Sequence, residues 1–464
     1  MMKRMMNNRP APISGITITI IFILSLLFSA CVVFDSPTEH YKKGNAYYDG
    51  KKFDLAVEEY SAAISRDSRQ AIIFVNRALS YNQLGQYDRA IADCDKAIEL
   101  NSGLALAYIT RASAYNEKGW YDLALADCNR AIEISPRAAL AYINRAWALN
   151  AKGRYEEAVE DCTKAIDIEP GRAIAYMNRA WAYNELGKYD LALSDCNKTL
   201  ELDPTISLAY VNRAWVYNQT GGYDQAIADC TKAISLEPNI ATAYVNRAWA
   251  NIMKGRHDDA IKDCDKAIEL NPNLPIAYTT RAWAYFEKFG YDDTKDWLTM
   301  GMVDSNKAIE LNPNFAQAYN NRAWGYILKH IYQLAIVDSS KAIDLNPKFA
   351  LAYTTRAWAY VNLAQWDLAI VDCDKAIEIN PMLAQAWDRR AFCYNQKAMY
   401  KRALEDANVA ININPEMPIS YYTRGIIHKN LGNMLKAEED LQKCIDLTED
   451  PELERAARAV LGTF

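Results

Sequence analysis

Along the stretch AYINRAWALNAKGRYEEAVEDCTKAIDIEP, residues 141–170, apolar and small residues return at helical intervals. Tyr142, Ala146 and Leu149 fall at i, i+4 and i+7, one face of a first helix, and Ala158, Cys162 and Ala165 repeat that spacing on a second. Lys152-Gly153 has the composition of a helix end, Glu156 (aspartate in other copies, such as Asp190) that of a cap for the second helix, and Glu169-Pro170 stops it. Large and small side chains alternate, which lets the two helices approach closely. No single pair can bury both its faces, so the pattern predicts an all-α chain in which pair stacks on pair and the ends need caps.

The pattern recurs through the chain. Arg77, Arg111, Arg145, Arg179, Arg213, Arg247, Arg281, Arg322, Arg356, Arg390 and Arg424 stand 34 residues apart, except for a step of 41 between Arg281 and Arg322. A two-helix period of 34 carrying Tyr142, Ala146, Tyr155, Ala158, Ala165 and Pro170 at fixed places resembles the tetratricopeptide repeat family. The resemblance implies an α-solenoid of about twelve helix pairs in a right-handed superhelix, spanning residues 37–451, with 452–464 as a capping helix. Residues 275–315 form a long copy with a seven-residue insertion. Seven residues are nearly two helical turns, so its second helix is expected to lengthen without rotating and to protrude with Trp297 and Met300.

The first thirty-six residues differ from everything after them. Lys3, Arg4 and Arg9 precede an apolar run from Ile16 to Ala30, the composition of an export signal, which residues 1–30 would form. Ser29-Ala30-Cys31 resembles the end of a bacterial lipoprotein signal, in which Cys31 would be acylated and 31–36 would be a short linker; Phe28 departs from the leucine usual in that motif. An uncleaved single-pass anchor and secretion without an anchor are the alternatives, since roughly 20 apolar residues can span a bilayer. All three place the body in the cell envelope or beyond it, outside the cytoplasm.

Composition narrows the function. The chain is 51% apolar and 24% charged with a net charge of −6, its acids and bases interspersed, which argues against a nucleic-acid footprint. Cys94, Cys128, Cys162, Cys196, Cys230 and Cys264 recur once per repeat, too far apart across stacked helices for neighbouring thiols to bridge, and are read as small buried groups. The four histidines are scattered, no metal or phosphate-binding motif occurs, and the segments outside the repeats are too short for a catalytic domain. Neither a catalytic residue, a metal site nor a cofactor is expected.

Three recurring residue types remain. Each arginine lies at the edge of the buried stripe with an aspartate sixteen residues on, or Asp304 in the long copy, so Arg145 with Asp161, Arg179 with Asp195 and Arg213 with Asp229 are expected to form structural ion pairs. Trp147, Trp181, Trp215, Trp249, Trp283, Trp324 and Trp358 fall on the far side of the first helix, which lines the concave groove in the family. They are read either as closing the stack or as a contact stripe for a partner. Asn76, Asn144, Asn178, Asn212, Asn246 and Asn321 are expected on the same side. They resemble the asparagine ladder in the repeat domain of O-linked N-acetylglucosamine transferase, which implies that their amides hold a peptide backbone. The chaperone-binding clamp of the family is matched only by Asn45 and Asn76, since Tyr41, Leu106 and Thr110 replace its basic members. The resulting expectation is a non-enzymatic scaffold, tethered to the envelope, that binds an extended segment of another protein. The alternatives are an envelope or pilus assembly protein acting through lateral contacts, and a glycan-binding solenoid.

Overall fold

The computed structural model describes residues 36–289 and 296–463. The predicted export signal and Cys31 lie outside the described residues, as does the centre of the insertion, 290–295. Twenty-five helices and no strand occur among the described residues.

The chain divides into two compact units, Met1–Arg256 and His257–Phe464. The first holds six helix pairs, from Ser36–Asp49 with Phe53–Arg66 to Ser207–Thr220 with Tyr223–Leu236, followed by the helix Ala241–Met253. The second opens with His257–Leu270 and continues through five pairs, from Pro275–Lys288 with Trp297–Leu311 to Pro418–Asn430 with Met434–Leu447. Pro451–Leu461 closes it, packing its Leu453, Ala457 and Val460 on the last repeat's Leu441 and Cys444. Within each unit a first helix packs on its own second helix and on the second helix of the preceding repeat, and successive first helices also touch. The fold is an α-solenoid of consecutive tetratricopeptide-type pairs.

Small residues make that close stacking possible. In one typical joint Ala146, Ala158, Cys162 and Ala182 are fully buried around Leu149 and Tyr155. The terminal repeats keep the volume but redistribute it. Gly44 faces Tyr60, whose ring would lie 2.5 Å from an added Cβ, and Gly425 faces Leu441 at 2.9 Å, where inner repeats pair alanine with cysteine. In most repeats the tyrosine opening the first helix binds the turn before it: Tyr142 donates to the Pro136 carbonyl at 3.2 Å and Tyr244 to that of Pro238 at 3.1 Å. First helices end on a left-handed residue, glycine at Gly153 (φ 75) but alanine at Ala364 (φ 55) and Ala398 (φ 57).

Two local expectations are corrected. Glu156 and Asp190 do not cap the second helices, whose N-caps, Arg154 and Lys188, make no side-chain cap bond. The acids lie inside the first turn, where they complement the positive helix end. At the equivalent place in other repeats, Asp122 pairs with Lys152 at 2.6 Å and Asp224 with Lys254 at 2.5 Å, so the residue links successive repeats. The insertion does not lengthen its helix either: Trp297–Leu311 has 15 residues against 14 in its neighbours, and the extra chain falls in the connection before it. Trp297 is buried, stacked on Tyr285 at 5.6 Å, rather than carried on a protrusion. Space for the altered packing comes from two glycines, since Cβ atoms at Gly301 and at Gly325 would collide with the Phe286 ring.

Candidate interaction surface

The arginines are held first by their own repeat. Arg145 donates through Nε and Nη2 to the two carboxylate oxygens of Asp161, both at 2.7 Å. Arg179 grips Asp195 at 2.7 and 2.9 Å, and Arg213 grips Asp229 at 2.7 Å twice. In the long repeat the partner lies 23 residues away, yet Arg281 reaches Asp304 at 2.7 and 2.8 Å, so the insertion leaves the pair intact. The third nitrogen crosses to the preceding repeat: Arg145 donates to Asn129, Arg179 to Thr163 and Arg213 to Asn197, at 2.7, 3.1 and 2.7 Å. Each guanidinium also lies over a tyrosine, Arg145 at 5.5 Å from the Tyr142 ring.

Sequence reasoning missed the crossing acceptor. Its signal was available: the residue sixteen before each arginine is always Ser, Thr, Asn or Asp, from Ser61 and Asp95 to Asp374 and Asn408. Burial pushes the Asp93, Asp127 and Asp372 carboxyls up from their ordinary value, although each faces an arginine whose hydrogen bonds pull the other way. Desolvation therefore offsets pairing, so these bonds specify the joint more than they add net stability.

The asparagine ladder needs correction. Asn76, Asn144, Asn178, Asn212 and Asn246 are 4–5% exposed and Asn321 is 9% exposed, too buried to line a groove wall. Their amides turn towards the neighbouring repeat. Asn144 donates to the Ile109 carbonyl at 3.1 Å, Asn178 to Ile143 at 3.3 Å, Asn246 to Val211 at 3.3 Å and Asn321 to Thr279 at 2.9 Å. Asn76 instead meets Asn45 and Tyr41. A second file points the other way, Asn116 to the Asn144 carbonyl and Asn150 to the Asn178 carbonyl, both at 2.8 Å. An unpaired buried amide is costly, and wherever these amides reach a helix carbonyl they lock successive first helices together, Asn184 being a buried amide that makes no such bond.

The tryptophans are intermediate. Trp147, Trp181, Trp249, Trp283, Trp324 and Trp358 are half-buried, while Trp215 is 7% exposed. One flank of the stripe lies against the preceding repeat. Trp215 meets Tyr189 edge-on at 6.0 Å, Phe392 meets Trp366 at 6.1 Å, and Trp324 packs on Phe286, Leu298 and Met302. Each half-buried ring keeps part of its surface accessible, although Trp358 carries Arg389 of the next repeat 5.2 Å from its ring centroid. Stack closure and an accessible stripe therefore coexist in the same side chains.

The described cysteines are free and buried, and burial pushes up thiols such as Cys393, to about 12, and Cys444, to about 11, which disfavours the reactive thiolate. Among the described residues no His, Cys, Asp and Glu group could hold a metal ion, and no helix is long and apolar enough to cross a membrane.

A series of small-residue joints, bolted by arginines and in most cases by asparagines, defines a protein built of stacked helix pairs. Tetratricopeptide repeat models match residues 40–70, 71–104, 105–137, 139–172, 173–206, 196–228, 241–274, 350–381 and 391–462, most of the chain. The protein belongs to the tetratricopeptide repeat family, whose repeats build protein-interaction scaffolds. No curated protein matches its sequence. Among solved structures, it is similar to the Cut9–Hcn1 hetero-tetramer of the APC/C, with a TM-score of 0.51 and 11% identity over 91% of this chain and 96% of that one. It is also similar to a monomeric mutant of IFIT1 solved with Gppp-AAAA, with a TM-score of 0.50 and 17% identity over 82% and 90%. A tetratricopeptide repeat protein from Parabacteroides merdae matches at a TM-score of 0.45 and 22% identity, over 55% and 98%. At these identities the likeness is one of fold.

Proposed function

We propose that this protein is a non-enzymatic scaffold that holds an extended segment of a partner protein along the tryptophan stripe of its first helices. The observation that carries the reading is the recurrence of one large aromatic at one place in seven successive repeats, half-buried in six of them. Closing a stack needs only the covered flank of each ring. An open flank offers contact area that is already ordered, so a partner pays little conformational entropy to use it. The asparagines contribute by holding the rings at fixed spacing rather than by touching the partner. Recovery of partners from detergent extracts tests this: a folded Trp181→Ala/Trp215→Ala/Trp249→Ala variant should lose them, and equal recovery would count against the stripe.

Tethering to the cell envelope belongs to the same proposal. It is supported by the basic head, the apolar run and Cys31. Cys31→Ser should block processing and membrane retention; a variant processed and retained like the parent protein would remove the lipoprotein reading. Lateral assembly remains a second reading because Val303, Leu334, Val337, Leu368 and Val371 are 44–64% exposed on the second helices of three successive repeats. Cross-linking of a Val337→Asp/Val371→Asp variant separates the two modes, since only lateral contacts should be lost.

A further inference from the structure

Among the described residues, no counter-charge is paired with the carboxylate of Glu287. It lies one turn beyond Trp283 on the same face of Pro275–Lys288, because residues four apart on a helix are neighbours. Among the described residues it has neither a hydrogen bond nor an ion pair, and burial pushes its carboxyl up from the ordinary glutamate value. The adjacent cation is engaged elsewhere: Lys288 pairs with Asp258 at 2.7 Å and lies 4.4 Å from the Trp297 ring centroid. Glu287 also stands in the last turn of its helix, where the negative end of the helix disfavours a second negative charge.

The surrounding wall supplies no compensation. In this repeat and the three that follow, the places equivalent to Ile276, Thr279, Trp283 and Glu287 hold aromatic, aliphatic, amide and hydroxyl residues, with Asp388 as the second acid and no lysine or arginine. Burial pushes the Asp388 carboxyl up to about 6, an effect that Arg389 beside it partly offsets, and Arg389 itself lies over Trp358 at 5.2 Å. Glu287 stands one helical turn from Trp283, and among the described residues nothing positive is paired with it.

We propose that Trp283 and Glu287 form a receptor for a cationic side chain, arginine or lysine, carried by the segment bound along the tryptophan stripe. The inference rests on the scaffold reading above and names the chemistry of its partner. Three features favour a cation together: the ring face attracts one, the carboxylate pairs with it, and the helix end adds its own negative potential. A guanidinium would satisfy both lone carboxylate oxygens at once, whereas an acidic segment would meet uncompensated repulsion.

The test uses the full-length chain and three fluorescein-labelled Gly-Ser peptides bearing arginine, citrulline or glutamate at every third position, read by fluorescence anisotropy. Citrulline keeps the size and hydrogen-bonding shape of arginine without its charge. Arginine peptides should bind about tenfold tighter than citrulline peptides, and Glu287→Gln should abolish that preference while leaving citrulline binding unchanged and the thermal melt no lower. A preference that survives Glu287→Gln, or equal binding of both peptides by the unaltered chain, overturns the cation receptor and leaves the stripe standing. Binding of both peptides that Trp324→Ala/Trp358→Ala does not weaken would instead sink the stripe, and failure of every peptide to bind would overturn both.

Discussion

Replacing Asp161 by asparagine keeps the size of the side chain and removes its charge. It also turns an amide NH2 towards the guanidinium, donor against donor, where Arg145 now makes two bonds of 2.7 Å. Removing one partner from a fully buried pair costs about 3–5 kcal/mol. Here the Asp161 side chain is 9% exposed and that of Arg145 25% exposed, so water reaches the stranded guanidinium and the expected loss falls to about 2–3 kcal/mol. Repeats couple through their neighbours, so the loss should be local. Native-state hydrogen exchange is the suitable assay. Amides of Ala139–Ala151 and Tyr155–Ile168 should exchange about 30- to 150-fold faster, with those of Pro418–Asn430 unchanged. Adding Arg145→Met should recover part of the loss, because the uncompensated charge leaves with its partner. A change below about 0.5 kcal/mol would mean that the pair behaves as a surface ion pair and that the joint is held by packing.

Three further outcomes follow from the same packing and electrostatics. Gly301→Ala should destabilise by about 1–3 kcal/mol in urea denaturation through collision with Phe286, and Phe286→Leu added to it should restore most of that; no loss would mean the ring moves freely. Ala364→Gly and Ala398→Gly should each stabilise by about 0.5–1 kcal/mol by relieving a left-handed alanine, whereas Gly153→Ala should do the reverse. Asp388 is buried and its carboxyl is pushed up to about 6 from an ordinary 3.8, chiefly by desolvation. The folded state therefore holds the proton more tightly than the unfolded one, a contribution complete below about pH 4 and lost as pH rises through about 6. Asp388→Asn should accordingly gain about 2–3 kcal/mol on the parent protein between pH 4 and 7.5, and a difference independent of pH would refute this.

The repeat was legible because its signals are local and multiplied. A spacing such as Ala158, Cys162 and Ala165 identifies a buried helix face in one copy, and its recurrence removes ambiguity. The ion pairs could be sought because a charge at a buried edge demands an opposite one. What failed were inferences that needed distance between helices. Angle around a single helix places Asn144 and Trp147 on one side, but the next repeat approaches closely enough to bury the short amide and only half of the longer indole. The amide carbonyl acceptors are backbone groups, invisible to side-chain patterns. Likewise, the insertion could be counted in sequence, but only the glycines at 301 and 325 reveal how its repeat was repacked.

The bolts between repeats have a consequence for how such a chain can change length. Where each arginine finds an acceptor sixteen residues back, and asparagines such as Asn116 and Asn150 a backbone carbonyl in the next copy, inner units present similar fittings at both ends. Unequal exchange between gene segments encoding those units would add or remove one without leaving a mismatched seam. The joint at Phe286 and Gly325 is different, since the ring from one repeat requires the glycine of the next. That joint is keyed, and shuffling that separated its two halves would be selected against, so the copies around it should descend as a fixed block while those before it are free to vary in number.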